Sequence, residues 1–154
     1  MSKPIQNRVI GLEFEPYLAA GATKTLLVEQ NNNQTIKLDT AAGSIVTLPP
    51  ATGSGARFRF VITTIPTSNS HIVKVANASD TMIGLAFLSD DTSDNAVAFN
   101  ASGTADTITL NRTTTGGVAL GEFIEVEDIA ANLWHVQAFL KCTGTPATPF
   151  SATV

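Results

Sequence analysis

Apolar residues in this chain come in clusters of four to eight, and nearly every cluster is closed by Gly, Asn, Asp, Ser or Pro. A helix of ordinary length needs about ten or more periodic residues, so this punctuation leaves the short strand as the building unit. The candidate strands are residues 9–14, 25–30, 34–38, 44–48, 57–64, 71–76, 81–88, 96–100, 107–110, 122–127 and 133–141. Period-two alternation is clearest in three of them. Phe58, Phe60 and Ile62 oppose Arg57, Arg59 and Val61; Trp134, Val136, Ala138 and Leu140 oppose His135, Gln137, Phe139 and Lys141; Ile36 and Leu38 oppose Lys37. A sheet with one wet face imposes that period. The 21 threonines suit it, because a branched Cβ fits the pleated surface while the hydroxyl stays solvated.

The turns are as legible as the strands. Asn31-Asn32-Asn33 reads as a hairpin loop, since Asn tolerates positive φ. Residues 49–55, opened by Pro49-Pro50 and closed by Gly53-Ser54-Gly55, end one strand and start the next. Residues 89–95 form an acidic loop, 113–117 a further one, and 128–132 hold at most a single helical turn. The expected fold is all-β: a β-sandwich or barrel-like, jelly-roll-type domain of about ten short antiparallel strands spanning 25–142. An extended N-terminal arm, 1–24, precedes it. The tail, 143–154, is small, polar and broken by Pro146 and Pro149, and is expected either to be disordered or to lie on a partner.

Composition narrows the function classes. With 44% hydrophobic residues the chain is too apolar for wholesale disorder, and its longest apolar stretch, 82–88, falls far short of the roughly 18 residues a membrane span needs. The nine Lys and Arg residues are scattered and the net charge is −4, so no basic patch for nucleic acid is expected. Arg57 and Arg59 around Phe58 read as solvated arginines on the outer face of a strand. Cys142 is the single cysteine, which allows no disulfide within the chain and reads as a passive thiol. Residues 1–8 carry no apolar core of a secretory signal, so synthesis in a cytoplasm is expected, and the Asn-x-Ser/Thr matches at 33, 77, 100 and 111 read as chance. Charged residues make up only 14%, against about 25% in an ordinary domain, and a charge-poor surface protects weakly against association.

Catalytic and ligand-binding patterns are sparse. Gly53-Ser54-Gly55 lacks the Gly-x-Ser-x-Gly spacing of a nucleophile elbow, and no Gly-rich loop leads into a helix with Lys-Ser/Thr. His71 and His135 stand on separate strands without Cys or His nearby, so each reads as a polar strand residue. Glu122, Glu125, Glu127 and Asp128 form the densest carboxylate group. A glycosidase pair would need a cleft and a controlled separation, and the group reads as the solvated face of an edge-type strand. Asp90, Asp91 and Asp94 lack the glycine and closing glutamate of an EF-hand and read as a flexible tip. Trp134 alternates with Val136 and Leu140 and belongs to the core; Tyr17 is the only tyrosine. No catalytic, cofactor-binding or metal-ligating residue is assigned, and no cofactor is expected.

Three segments carry a resemblance. Residues 43–55 (GSIVTLPPATGSG), followed by Arg57-Phe58-Arg59-Phe60-Val61-Ile62, resemble a strand–turn–strand unit of tailed-bacteriophage virion proteins. Residues 121–129 (GEFIEVEDI) and 132–136 (NLWHV) resemble the hairpin that closes such modules, and 145–151 (TPATPFS) is similar to the tails of small phage structural proteins. The resemblance covers roughly 34–151 and implies a capsid decoration, or cement, protein. Such a protein is non-enzymatic, commonly a trimer, sits on the outer surface of the phage head, binds the major capsid protein and clamps neighbouring subunits, often with an N-terminal arm, here residues 1–24, adding a strand to the shell. No arm motif matches residue by residue, so no shell-contacting residue is carried over. The same patterns occur in tail and fibre proteins, which leaves a glycan-adhesion module as the alternative. A carbohydrate-active enzyme built on Glu122–Asp128 is the third hypothesis.

Overall fold

The computed structural model describes residues 17–154, and the strand expected at 9–14 lies outside them. Its elements are β1 (Tyr17–Ala19), β2 (Thr23–Thr25), α1 (Val28–Asn31), β3 (Gln34–Leu38), β4 (Ile45–Thr47), β5 (Arg57–Ile62), β6 (His71–Lys74), β7 (Thr81–Asp90), β8 (Ala96–Asn100), β9 (Thr107–Leu110), β10 (Phe123–Ala130), β11 (Leu133–Cys142) and β12 (Phe150–Ser151). They form a seven-stranded sheet, β1-β3-β5-β10-β11-β7-β8, and a five-stranded sheet, β12-β9-β6-β4-β2. The all-β sandwich is as expected.

The pairing departs from the antiparallel expectation. From β1 to β6 the chain changes sheet at every step, so β1, β3 and β5 lie side by side in parallel, as do β2, β4 and β6. These are three coils of a flattened helix. Leu18, Ile36 and Phe60 stand in one register row, and Lys24, Val46 and Val73 in another. Parallel strands need a long crossover. Here the crossover is a strand of the opposite sheet instead of a helix, and both faces of each coil close over one core. From β7 onward the chain doubles back: β10 pairs antiparallel with β5 and β11, while β11 and β7 run parallel.

Three local expectations change for related reasons. Asn31–Asn33 is no hairpin, because β2 and β3 belong to different sheets. Residues 25–30 leave the ladder after Thr25 and wind the single turn α1, whose buried Asn31 accepts the Leu27 N–H at 2.9 Å. Asn33 does adopt the positive φ expected of an Asn turn, 62°. The turn at 128–132 is not helical but a β10–β11 hairpin end, with a bulge between Asp128 and Ala130 and Asn132 at φ 61°.

Both ends of the described chain are part of the body. β1 already belongs to the large sheet and Ala20 is buried, so residues assigned to the arm at 17–24 are part of the body. The C-terminal tail is neither disordered nor lent to a partner. β12 pairs with β9, Phe150 is buried, and the Thr153 and Val154 amides donate to Asp106 at 2.8 and 3.2 Å. Trp134 sits fully buried at the centre, tilted against Phe58 with ring centroids 5.9 Å apart. Its indole N–H has no acceptor among the described residues, and apolar packing surrounds the ring.

Candidate interaction surface

The outer face of the seven-stranded sheet divides into an apolar half and a polar half. Register decides the apolar half. Phe123 of β10 lies opposite Phe139 of β11, Phe139 beside Phe87 of β7, and Phe87 opposite Ala98 of β8. Neighbouring strands are about 4.8 Å apart, so same-face rings in one row must stack. Phe87 and Phe139 stack with centroids 5.3 Å apart at 19°, and Phe123 and Phe139 at 5.2 Å and 28°. From the β5 side the Arg59 guanidinium covers the Phe123 ring at 4.0 Å. Four flat groups therefore stand on edge across four strands. Phe139 is 49% exposed and Phe87 38%, with Leu85 in the next row and Leu120 on the adjoining loop at 64%. A shallow hollow of about 550 Å³ runs between the strip and residues 119–122. The exposed parts of Leu85, Phe87, Phe139 and Leu120, with Phe123 between them, form one apolar patch of the kind that on a monomer is often functional.

The polar half is an open groove of about 480 Å³ lined by Arg57, Arg59, Glu125, Glu127, His135 and Gln137, among others. Arg57 pairs with Glu127 at 2.9 Å, and Arg59 with Glu125, each directly across the β5–β10 ladder. Both pairs are solvent-exposed, and each is worth at most about 1 kcal/mol.

The carboxylate group noted in the sequence is split by this geometry. Glu125 and Glu127 lie on the outer face, as alternation implies, but β10 is an interior strand between β5 and β11, not an edge. Glu122 and Asp128 turn inward. The Glu122 carboxylate accepts the N–H groups of Gly117, Val118 and Ala119 and so pins the loop before β10. Asp128 accepts the amides of Thr52, Gly53 and Ser54 at 2.8–3.0 Å and the Ser54 hydroxyl at 2.7 Å, stapling the turn at 49–55. Burial pushes its carboxyl up, but the Ser54 hydroxyl and the three amides outweigh burial and hold it below the usual range. Ser54 is thus a donor to a structural carboxylate.

His71 is fully buried. Its Nδ1 accepts the Ser44 N–H at 2.9 Å, so its Nε2 carries the proton and donates to the Thr64 carbonyl at 2.8 Å. Burial lowers its pKa, against weaker upward effects of the Thr64 bond, Asp39 and Glu122. His135 stands apart from it, in the polar groove. Asp90 closes its own loop, accepting the Thr92 amide and hydroxyl and the Ser93 hydroxyl. Among the described residues no three His, Cys, Asp or Glu side chains gather as a metal site. Cys142 is buried, and burial together with Asp90, Asp91 and Glu122 pushes its thiol up, away from the reactive thiolate. Phe58 faces the core while Arg57 and Arg59 face solvent, as read from the alternation.

The phenylalanine strip is the feature that residue-by-residue inspection of the sequence passes over. Its signal was present as a Phe on the otherwise polar side of β11 and another beside the glutamates of β10. Only the register puts them in one row.

Comparison with protein-family models, curated proteins and solved structures finds no match to this chain.

Proposed function

We propose that this protein is a non-enzymatic capsid decoration protein of a tailed phage: it binds the outer surface of the head and stabilises contacts between major capsid subunits. The observation that supports this reading is the edge-on phenylalanine strip. A specific protein interface buries about 800 Å² per partner, of which a little over half is apolar. The strip and its leucines gather exposed apolar side chains in one continuous patch of the kind such an interface needs at its centre. Its surroundings are mostly small side chains, with Lys141 at the rim of the hollow, which favours docking by shape.

The same observation weighs against glycan adhesion. A sugar ring packs on an aromatic face, and here both faces of Phe139 and the β5 side of Phe123 are occupied. A glycan would have only the β8 side of Phe87, opposite Ala98, and the polar groove.

The test is co-sedimentation of the purified protein with expanded and unexpanded phage shells. Occupancy on expanded shells and its loss in Phe139→Lys, with cooperative unfolding retained, are the expected results. Full occupancy by Phe139→Lys, or binding to a glycan array that the same variant leaves intact, would reject this reading.

A further inference from the structure

The two sheets of the described chain end in four edges, and three of them are blunted. β1 and β2 have three residues each, β2 carrying Lys24, and β12 has two residues directly after Pro149. β8, Ala96-Val97-Ala98-Phe99-Asn100, is different: five residues, no charge, no proline and no bulge, paired with β7 on one side only. Proteins that stay apart normally guard such an edge with Lys, Pro, a bulge or brevity.

The hydrogen-bond phase shows what the edge offers. Ala101 donates to the Gly84 carbonyl and Asp90 to the Asn95 carbonyl, both at 3.0 Å. In an antiparallel ladder bonded positions alternate. The odd positions of β8, Val97 and Phe99, therefore point their main-chain groups at β7, while Ala96, Ala98 and Asn100 point theirs outward.

We infer that β8 is a self-pairing edge, and that a second copy of this chain adds to it antiparallel about a two-fold axis at Ala98. This goes beyond the capsid reading and does not depend on it. In that register Ala98 of one copy faces Ala98 of the other and Ala96 faces Asn100, so every outward main-chain group at these positions meets a complementary one. The side chains agree. Ala98 shares the outer-face row of Phe87, Phe139 and Phe123, so the two strips join through a pair of small alanines into one apolar band. The charges agree as well. The acidic loop with Asp90, Asp91 and Asp94 lies before β8, and the two-fold sets Asp94 opposite the uncharged Ser102 of the other copy, with the two acidic loops at opposite ends of the junction. The interface is isologous, and it closes as a dimer.

Light scattering on the full chain across micromolar to near-millimolar concentrations tests this. The expected mass is twice the 16.1 kDa of the chain. Ala98→Pro removes only an outward N–H, a position where an edge strand tolerates proline, and should give a monomer with an unchanged circular dichroism spectrum. Should that variant fail to fold, Ala98→Lys, which places two ammonium groups face to face, gives the same readout. Facing Cα atoms in a bonded antiparallel pair lie about 5.5 Å apart, within disulfide reach, so Ala98→Cys should cross-link under a mild oxidant. Three outcomes would overturn the proposal. The first is a wild-type monomer at all concentrations, as when residues 1–16 of the same chain cover the edge. The second is a trimer, as the family resemblance implies, and the third a dimer that Ala98→Pro and Ala98→Lys both leave intact. None of the three touches shell binding, which the Phe139→Lys experiment decides separately.

Discussion

His71, Asp106 and Asp128 each hold a main-chain contact that only one protonation state can make, and all three act in the same direction with pH. His71 is neutral in the fold, with its pKa lowered from 6.5. Its contribution is complete above about pH 6.5 and is lost as pH falls from there toward the lowered folded value. For Asp106 burial acts upward, but the Thr153 amide, the Thr107 hydroxyl, the Val154 amide and the Lys74 charge prevail, and its folded pKa, like that of Asp128, is depressed. Their contributions are complete above the unfolded carboxyl value of about 3.9 and are lost as pH falls through the folded values. The urea midpoint should therefore drop in two stages on acidification, first below about pH 6.5 and again below about pH 4. Glutamine can accept from Ser44 and donate to Thr64 without titrating, so His71→Gln should abolish the first stage and keep the second. A first stage that persists in His71→Gln would show that another group causes it. The carboxylates divide equally sharply. Asp128→Asn should cost about 2–3 kcal/mol, because three amides and a hydroxyl converge on a charge, whereas Glu125→Gln should cost less than about 1 kcal/mol. Equal losses in denaturant titrations would mean that Asp128 is no more structural than its exposed neighbour.

At the scale of the element, the parallel β7–β11 pair depends on a missing side chain. Gly84 has φ 130° and lies opposite Val136, where an added Cβ would stand 1.9 Å from the Val136 carbonyl oxygen. Backbone cannot yield there as a flexible side chain could. Gly84→Ala should therefore destabilise by at least about 2 kcal/mol and raise amide exchange in β7 and β11 ahead of β2 and β4. Exchange that rises evenly over both sheets would contradict a local cause. Nothing in the sequence marked Gly84 as special, and the reason is general. Alternation in Arg57–Ile62 or Leu133–Cys142 records which face is wet, so strand positions and the core places of Phe58 and Trp134 could be read directly. It does not record which strand lies alongside. Ile36 and Phe60 are 24 residues apart and meet only because a strand of the other sheet intervenes. The inward turn of Glu122 and Asp128 escaped for a similar reason, since their partners are amides of loops whose path depends on the finished fold. Pairing also decided the phenylalanine strip: each Phe alone is an ordinary exposed residue, and the row exists only in the assembled sheet.

For the molecule as a whole, the coiled half and the doubled-back half have different relations to the chain's start. All thirteen described elements fall within residues 17–154, and the first of them, β1, is a three-residue edge strand on the first coil. A cut placed after residue 24, where the arm was expected to end, would remove β1 and most of β2 and leave β3 paired with β5 alone. A cut after residue 16 leaves every described strand in place. The two truncations should therefore separate fold from function. Removing residues 1–16 should keep cooperative unfolding, while removing 1–22 should lower the unfolding midpoint and expose the β3 edge to association. If the arm adds a strand to a capsid subunit, the shorter truncation should lose shell occupancy despite its intact body, because main-chain pairing is cut off while the phenylalanine strip remains. Loss of occupancy in that truncation and in Phe139→Lys would mean that arm and strip both grip the shell, each too weak alone, as expected when many modest contacts are summed over a particle. Occupancy unchanged by removing residues 1–16 would assign the grip to the sheet face and remove the arm from the mechanism.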